Sequence, residues 1–149
     1  MIARYFSCNL LLTYRQNAPE RLDIKRSLFA TMDAKTRPNV IIASLSSGLP
    51  SSEFMSDCKK NSSRILIGHP FNPPHLMPLV EIVLHPGREI KYTDQALQFY
   101  QATDKKPIVV KKECPRYVAN ILQAAICSEA YSLVQRGVVT AEELGSYES

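Results

Sequence analysis

The stretch Ile65-Leu66-Ile67-Gly68-His69-Pro70-Phe71-Asn72-Pro73-Pro74-His75-Leu76-Met77-Pro78-Leu79-Val80-Glu81-Ile82-Val83-Leu84 decides the fold. It opens and closes on apolar runs of strand length, residues 65–68 and 79–84. Ten residues separate Gly68 from Leu79, and four of the chain's ten prolines fall in the segment 70–78. Each proline fixes one backbone angle, so this connection is rigid. A parallel return needs a crossover of a dozen or more residues, so the two strands are predicted to be antiparallel. The start of the later strand then lies beside the end of the earlier one, and Glu81 falls near His69.

Upstream, Val40-Ile41-Ile42-Ala43 is a continuous apolar run, as in a buried parallel strand. Before it, Asn17 and Glu20 have capping-box spacing with Pro19 in the first turn. Leu22, Ile24, Leu28, Phe29 and Met32 then recur at helical spacing to about Asp33. A serine-rich loop, 44–52, leads to a short helix over 53–58. Downstream, a turn at His85-Pro86-Gly87 precedes a helix over 93–103 with Thr93 as N-cap. A strand over 107–111 follows, then a long helix over 117–135 ended by Gly137 at C′. Thr140 and Glu143 form the capping box of a last short helix. Helices and strands that alternate in this way predict an α/β fold with a mixed sheet.

Open sheets of this kind bind ligands beyond the carboxyl ends of their strands. Ser44, Ser46 and Ser47 follow the first predicted strand and His69 directly follows the second. Parallel pairing puts both groups on one sheet edge. Glu81 interrupts the apolar run Leu79-Val80-Glu81-Ile82-Val83, and a carboxylate there is costly unless it is paired. An imidazole partner satisfies it, and the carboxylate in turn fixes the ring and raises its basicity. A histidine held in that way is a usable general base. Taken alone, the serines read as loop and cap residues, and Asn120 as a feature of a helix N-terminus.

Composition bounds the remaining classes. The chain has 149 residues, 45% hydrophobic and 21% charged, which suits a globular domain with one core. Net charge is +4, but the lysine doublets Lys59-Lys60, Lys105-Lys106 and Lys111-Lys112 are scattered beside Asp57, Asp104 and Glu113. They make no basic stripe, so nucleic acid is not expected as a partner. Cys8, Cys58, Cys114 and Cys127 form neither C-x-x-C nor a disulfide framework, which points to reduced thiols in a cytoplasmic setting. His69, His75 and His85 lack metal-ligand spacing, so no metal is expected. The first nineteen residues carry Arg4 and Arg15 and no acid, which keeps an organelle leader (mitochondrial or peroxisomal) as the alternative address. The apolar stretch 8–12 is too short to span a bilayer, so no membrane is expected. The five glycines lie no closer than eight positions apart, so neither G-x-G-x-x-G nor G-x-x-x-x-G-K-[ST] is present.

The run Gly68-His69-Pro70-Phe71-Asn72-Pro73-Pro74-His75-Leu76-Met77-Pro78-Leu79-Val80-Glu81 resembles the signature of the 3-hydroxyacyl-CoA dehydrogenases. Its Pro-Pro and Pro-Leu-Val-Glu elements look most like the lambda-crystallin (L-gulonate 3-dehydrogenase) branch. Ala43-Ser44-Leu45-Ser46-Ser47-Gly48-Leu49 is similar to the family's serine/threonine loop. Lys112-Glu113-Cys114-Pro115-Arg116-Tyr117-Val118-Ala119-Asn120 resembles the entry to its helical C-terminal domain. The resemblance spans residues 17–144. It implies oxidation of an L-3-hydroxy group with NAD, acting on an acyl-CoA or a 3-hydroxy acid such as gulonate or carnitine. By resemblance His69 is the base and Glu81 its orienting carboxylate. Ser47 lies near the nicotinamide and the reacting oxygen, Asn120 holds the substrate and the dyad, and Asn72 sits at the nicotinamide end. Glu20 and Lys25 match cofactor-side positions.

The expected architecture is therefore the C-terminal part of a Rossmann-type NAD-binding domain, 17–114, plus the first helix of an all-α C-terminal domain in 115–149. Residues 1–16 fall outside the resemblance. The family's β-α-β unit with G-x-G-x-x-G is not in this sequence, so the chain alone is expected to be weak or inactive. A family-type homodimer, or association of a non-catalytic fragment with a full-length relative, are the assemblies the resemblance suggests. Two departures stand out. The family's Asn-Arg pair reads Asn120-Ile121, and its Pro-Gly-Phe hinge reads Pro115-Arg116-Tyr117. Arginine does not replace glycine freely where φ is positive.

Overall fold

The computed structural model describes residues 11–13 and 20–146. In chain order the elements are β1 (Leu11–Thr13), α1 (Leu22–Lys35), β2 (Ile41–Ser44), α2 (Ser51–Phe54), β3 (Ile65–Pro70), β4 (Leu79–Val83), α3 (Ile90–Gln101), β5 (Lys106–Val110), α4 (Tyr117–Gln135) and α5 (Ala141–Gly145). A single 3-10 turn, Ser62–Arg64, leads into β3. The five strands form one mixed sheet in sequential order. β1, β2 and β3 are mutually parallel, β4 runs against β3, and β5 is parallel to β4. The carboxyl ends of β2 and β3 therefore share an edge with the amino end of β4.

Alternation along the strands sends side chains to two faces. On one face, Leu66, Val80 and Ile82 pack under Tyr92, Ala96 and Tyr100 of α3. On the other, Ile65, Ile67 and Val83 meet Phe29 and Met32 of α1, Phe54 of α2, and Tyr117. Each fully buried side chain of this size stabilises by about 1.5–3 kcal/mol. The inner face of α1 carries Lys25, Phe29, Met32 and Asp33, a spacing that matches one helical stripe. Its two charged members are both paired. Lys25 Nζ lies 3.0 Å from Glu20 Oε2. Asp33 Oδ1 lies 2.7 Å from Nη2 of Arg64, itself fully buried.

Several boundaries differ from the expectations. The expected N-cap Asn17 lies outside the described residues; α1 starts at Leu22, with Arg21 as its N-cap and no side-chain cap. Thr93 is not a cap: α3 starts at Ile90, and Thr93 is buried inside it beside Tyr92. α2 is shorter and earlier than 53–58, and Glu113 caps it by accepting from Ser51 Oγ at 2.8 Å and Ser52 N at 3.0 Å. β1 was not expected at all. It is three residues long and gains its place through backbone pairing with Ile41–Ala43, which no local pattern reveals. The 117–135 helix and the Thr140/Glu143 capping box form as predicted. Gly137 ends α4 at φ +69°, with Val138 N donating to Leu133 O and Gly137 N to Val134 O, the Schellman pattern.

The chain divides into two compact units between Tyr117 and Val118. In the second, α4 turns through the Gly137 cap into α5. Among the described residues no helix is long and apolar enough to cross a membrane.

Candidate active site

The two halves of the predicted dyad meet through strand register. His69 pairs directly with Glu81 across the β3–β4 ladder. Side chains opposite one another on one face of an antiparallel pair lie within contact reach, and here His69 Nδ1 is 2.9 Å from Glu81 Oε2. Both side chains are buried. His69 does not follow its strand, as the sequence reading had it, but lies inside it, because β4 pairs through to Pro70 and extends the ladder. With Nδ1–H donating to Glu81, the ring's lone pair lies on Nε2. A second contact holds the ring: the Tyr117 ring sits against it with centroids 5.2 Å apart.

The neighbouring residue in β3 faces the opposite side of the sheet. A Cβ on Gly68 would run into the Tyr100 ring, with Cζ at 2.8 Å. Tyr100 Oη is buried and has no hydrogen-bond partner among the described residues. Glycine is required at this point by close approach.

The serine loop 44–49 is built on its own hydrogen bonds. Ser44 Oγ accepts from Ser46 N at 3.2 Å, and Ser46 Oγ accepts from Leu49 N at 3.1 Å. Ser46 Oγ donates in turn to Glu20 Oε1, and the Ser47 amide donates to the same oxygen at 3.2 Å. Burial raises the Glu20 carboxyl. The hydrogen bond from Ser46, together with the bond and charge of Lys25, more than offsets that and leaves it below its ordinary value. Lys25 Nζ also sits 5.7 Å from the Phe54 ring centroid, a favourable position for a cation. Glu20, Lys25, Ser46 and Ser47 thus form one linked cluster beyond the end of β2.

The structure brings His69 together with Glu81, and Glu20 together with Lys25 and Ser47. Asn72 is exposed in the 71–78 loop. Asn120 lies in the first turn of α4, in the second unit. Two residues carry more than the sequence suggested. Ser46 read only as a loop or cap serine, yet it is buried and ties Glu20 to the loop. Tyr117 was read only as part of a hinge, yet it faces the imidazole. An aromatic directly after the strained position was the signal available for it. Among the described residues no cluster of three or more metal-ligating side chains occurs. Cys58, Cys114 and Cys127 are free, and burial pushes the Cys58 thiol up to about 11.

Residues 13–114 match the family described as 3-hydroxyacyl-CoA dehydrogenase, NAD binding domain. A 3-hydroxyacyl-CoA dehydrogenase of Gibberella moniliformis is 58% identical over 130 residues, which cover 87% of this chain and 40% of that protein. An L-carnitine dehydrogenase of Streptomyces coelicolor is 41% identical over the same length, covering 41% of its own. The chain therefore spans about two fifths of the length of these curated relatives. The crystal structure of an NAD+-dependent dismutase, a 5-formyl-3-hydroxy-2-methylpyridine 4-carboxylic acid 5-dehydrogenase, superposes with a TM-score of 0.78 at 28% identity. The match covers 92% of this chain and 43% of that one. A 3-hydroxyacyl-CoA dehydrogenase of Archaeoglobus fulgidus superposes with a TM-score of 0.73 at 27% identity, over 93% of this chain and 45% of its own. Sequence and fold agree, and the chain belongs to the 3-hydroxyacyl-CoA dehydrogenase family, with a Rossmann-type fold over the residues that match its NAD binding domain.

Proposed function

We propose that the site serves NAD-dependent oxidation of an L-3-hydroxy group, with His69 as general base and Glu81 as its orienting carboxylate. The buried 2.9 Å pair between His69 Nδ1 and Glu81 Oε2 carries this reading. His69 Nε2 accepts the proton of the 3-hydroxyl, and Glu81 stabilises the imidazolium that forms. Ser47 stands near the reacting oxygen, Asn120 holds substrate, and Asn72 lies toward the nicotinamide. Glu20 and Lys25 hold the cofactor side of the site. The polar, partly buried Glu20–Lys25–Ser46–Ser47 cluster fits the nicotinamide end of NAD, whereas this sequence has no glycine loop for the pyrophosphate. The chemistry NAD supplies when bound is acceptance of the two electrons and one hydrogen lost from carbon 3. The substrate is a small 3-hydroxy compound, an acyl-CoA or a 3-hydroxy acid of the carnitine or gulonate kind.

The chain by itself binds NAD weakly and turns over little, because a helix N-terminus with a glycine turn supplies much of the pyrophosphate affinity in such folds. NADH formation measured on the 149-residue chain at the rate of its fungal relative would overturn that part. His69→Gln, made here and at the matching position of that relative, should lower turnover by roughly 10²–10⁴, the usual share of acid–base catalysis. Circular dichroism should show the fold retained. An unchanged rate removes the base assignment.

A second reading, a non-catalytic chain that associates with a full-length relative or with its own copy, has its own observation. Ile121, Leu122, Ile126 and Tyr131 of α4 are 44–69% exposed, an unusual run of apolar surface. Sedimentation that returns a monomer at high concentration counts against it.

A further inference from the structure

We infer that Tyr117 is a positioning residue for His69: its ring seats the imidazole, and its hydroxyl ties that seat to the serine loop. The inference rests on the reading of His69 as the base. A hydrogen bond to Nδ1 does not by itself stop the ring from turning about χ1 and χ2 out of that bond, which releases the Nδ1 tautomer. The Tyr117 ring, tilted 53° with its centroid 5.2 Å away, blocks that turn. Tyr117 is wholly buried, and its hydroxyl donates to the Leu49 carbonyl at 2.8 Å. From there the connection continues through Leu49 N to Ser46 Oγ and through Ser46 Oγ to Glu20. Three hydrogen bonds thus join the seat of the base to the cluster assigned to the cofactor side.

The backbone shows that this placement is held against resistance. Arg116 and Tyr117 have φ of 68° and 54°. The left-handed region disfavours L-residues, and such conformations persist where the surroundings over-determine them. Packing against His69 and within the core beneath the sheet, with the bond to Leu49, holds Tyr117 there. Burial raises its phenol far above the usual tyrosine value, so it stays a neutral donor.

The three histidines give the test its own controls. His69 should carry its proton on Nδ1. His85, whose Nδ1 accepts from Gly87 N at 3.1 Å, should carry it on Nε2 and reports the fold. Exposed His75 should average the two forms. Side-chain ¹⁵N spectra of the 149-residue chain, with His69 assigned through His69→Gln, read all three. Tyr117→Met is expected to abolish the single-tautomer pattern of His69 and leave that of His85. Tyr117→Phe, which keeps the ring, restores it. A His69 pattern unchanged in a folded Tyr117→Met chain overturns the inference, as does a mixed pattern in the unsubstituted chain. If Tyr117→Met loses the His85 pattern and so has not folded, the His69 ring protons of the unsubstituted chain decide. Displacement from the His75 values by the Tyr117 ring current supports the seat, and coincidence with them overturns it. None of these readouts requires turnover, so failure of the seat and failure of the dehydrogenase reading are separable.

Discussion

At the scale of single residues, close approach and paired burial set the terms. Gly68 is held by Tyr100, whose ring fills the space of a Cβ. Gly68→Ala should destabilise by about 1–3 kcal/mol, the usual penalty of overpacking. Gly68→Ala with Tyr100→Phe should recover part of it, since the lost hydroxyl is the nearest clashing group and has no partner among the described residues to forfeit. Urea midpoints of the two variants check this, and equal losses would remove Tyr100 as the cause. A buried charge pair behaves differently. Asp33 meets Arg64 and accepts from the Lys60 and Asn61 amides. Burial raises its carboxyl, and the Arg64 hydrogen bond with these amides more than offsets that, so it lies below its model-peptide value of 3.8. With the folded value depressed, the pair's contribution is complete above that pH and fades as pH falls through the folded value. Asp33→Asn, which leaves a buried guanidinium without its counter-charge, should cost about 3–5 kcal/mol at neutral pH. The gap from the unsubstituted chain should narrow in denaturation series taken from pH 5 towards pH 2, by roughly the acid-labile share of such a pair. Parallel pH profiles would contradict the assignment. The dyad itself was legible in sequence, because a lone carboxylate in an apolar strand demands a partner and loop length dictated which strand end supplied it. The seat of the ring was not, since His69 and Tyr117 meet only through the packing of Tyr117 under the sheet.

At the scale of elements, local chemistry predicted what is local. The Thr140/Glu143 box, the Gly137 cap and the β3–β4 return are each governed by residues a few positions apart, and each forms as read. The starts of α1 and α3 were misplaced because neither has a side-chain cap. Among the described residues β1 is placed by its pairing with β2. The hinge between β5 and α4 is the clearest local conflict. The sequence already flagged Arg116 as unsuited to a left-handed position, and its φ is 68°. Arg116→Gly should therefore stabilise by about 1 kcal/mol, the relief of a left-handed L-residue. Thermal midpoints of the two chains measure it. A fall in stability would show that the Arg116 side chain makes contacts worth more than the strain.

At the scale of the whole molecule, the sheet explains why a chain spanning two fifths of its relatives still presents the dyad intact. β2, β3, β4 and β5 cover one another in sequence order, and helices lie on both faces of the first unit. The second unit begins one residue after Tyr117, so the residue that packs against His69 is also the first of α4. The Glu20–Ser46 link was not legible locally, because the two residues are separated by 26 positions and meet only when β2 and α1 are in place. The dyad stands apart in this respect. His69 and Glu81 are twelve positions apart in one hairpin, and short loops close with little entropy loss. Its geometry is thus of low contact order, written into some twenty consecutive residues and set by the earliest pairing the chain can make. The His69–Glu81 pair should outlast rearrangements at either end of the chain that would dismantle the Glu20–Ser46 link.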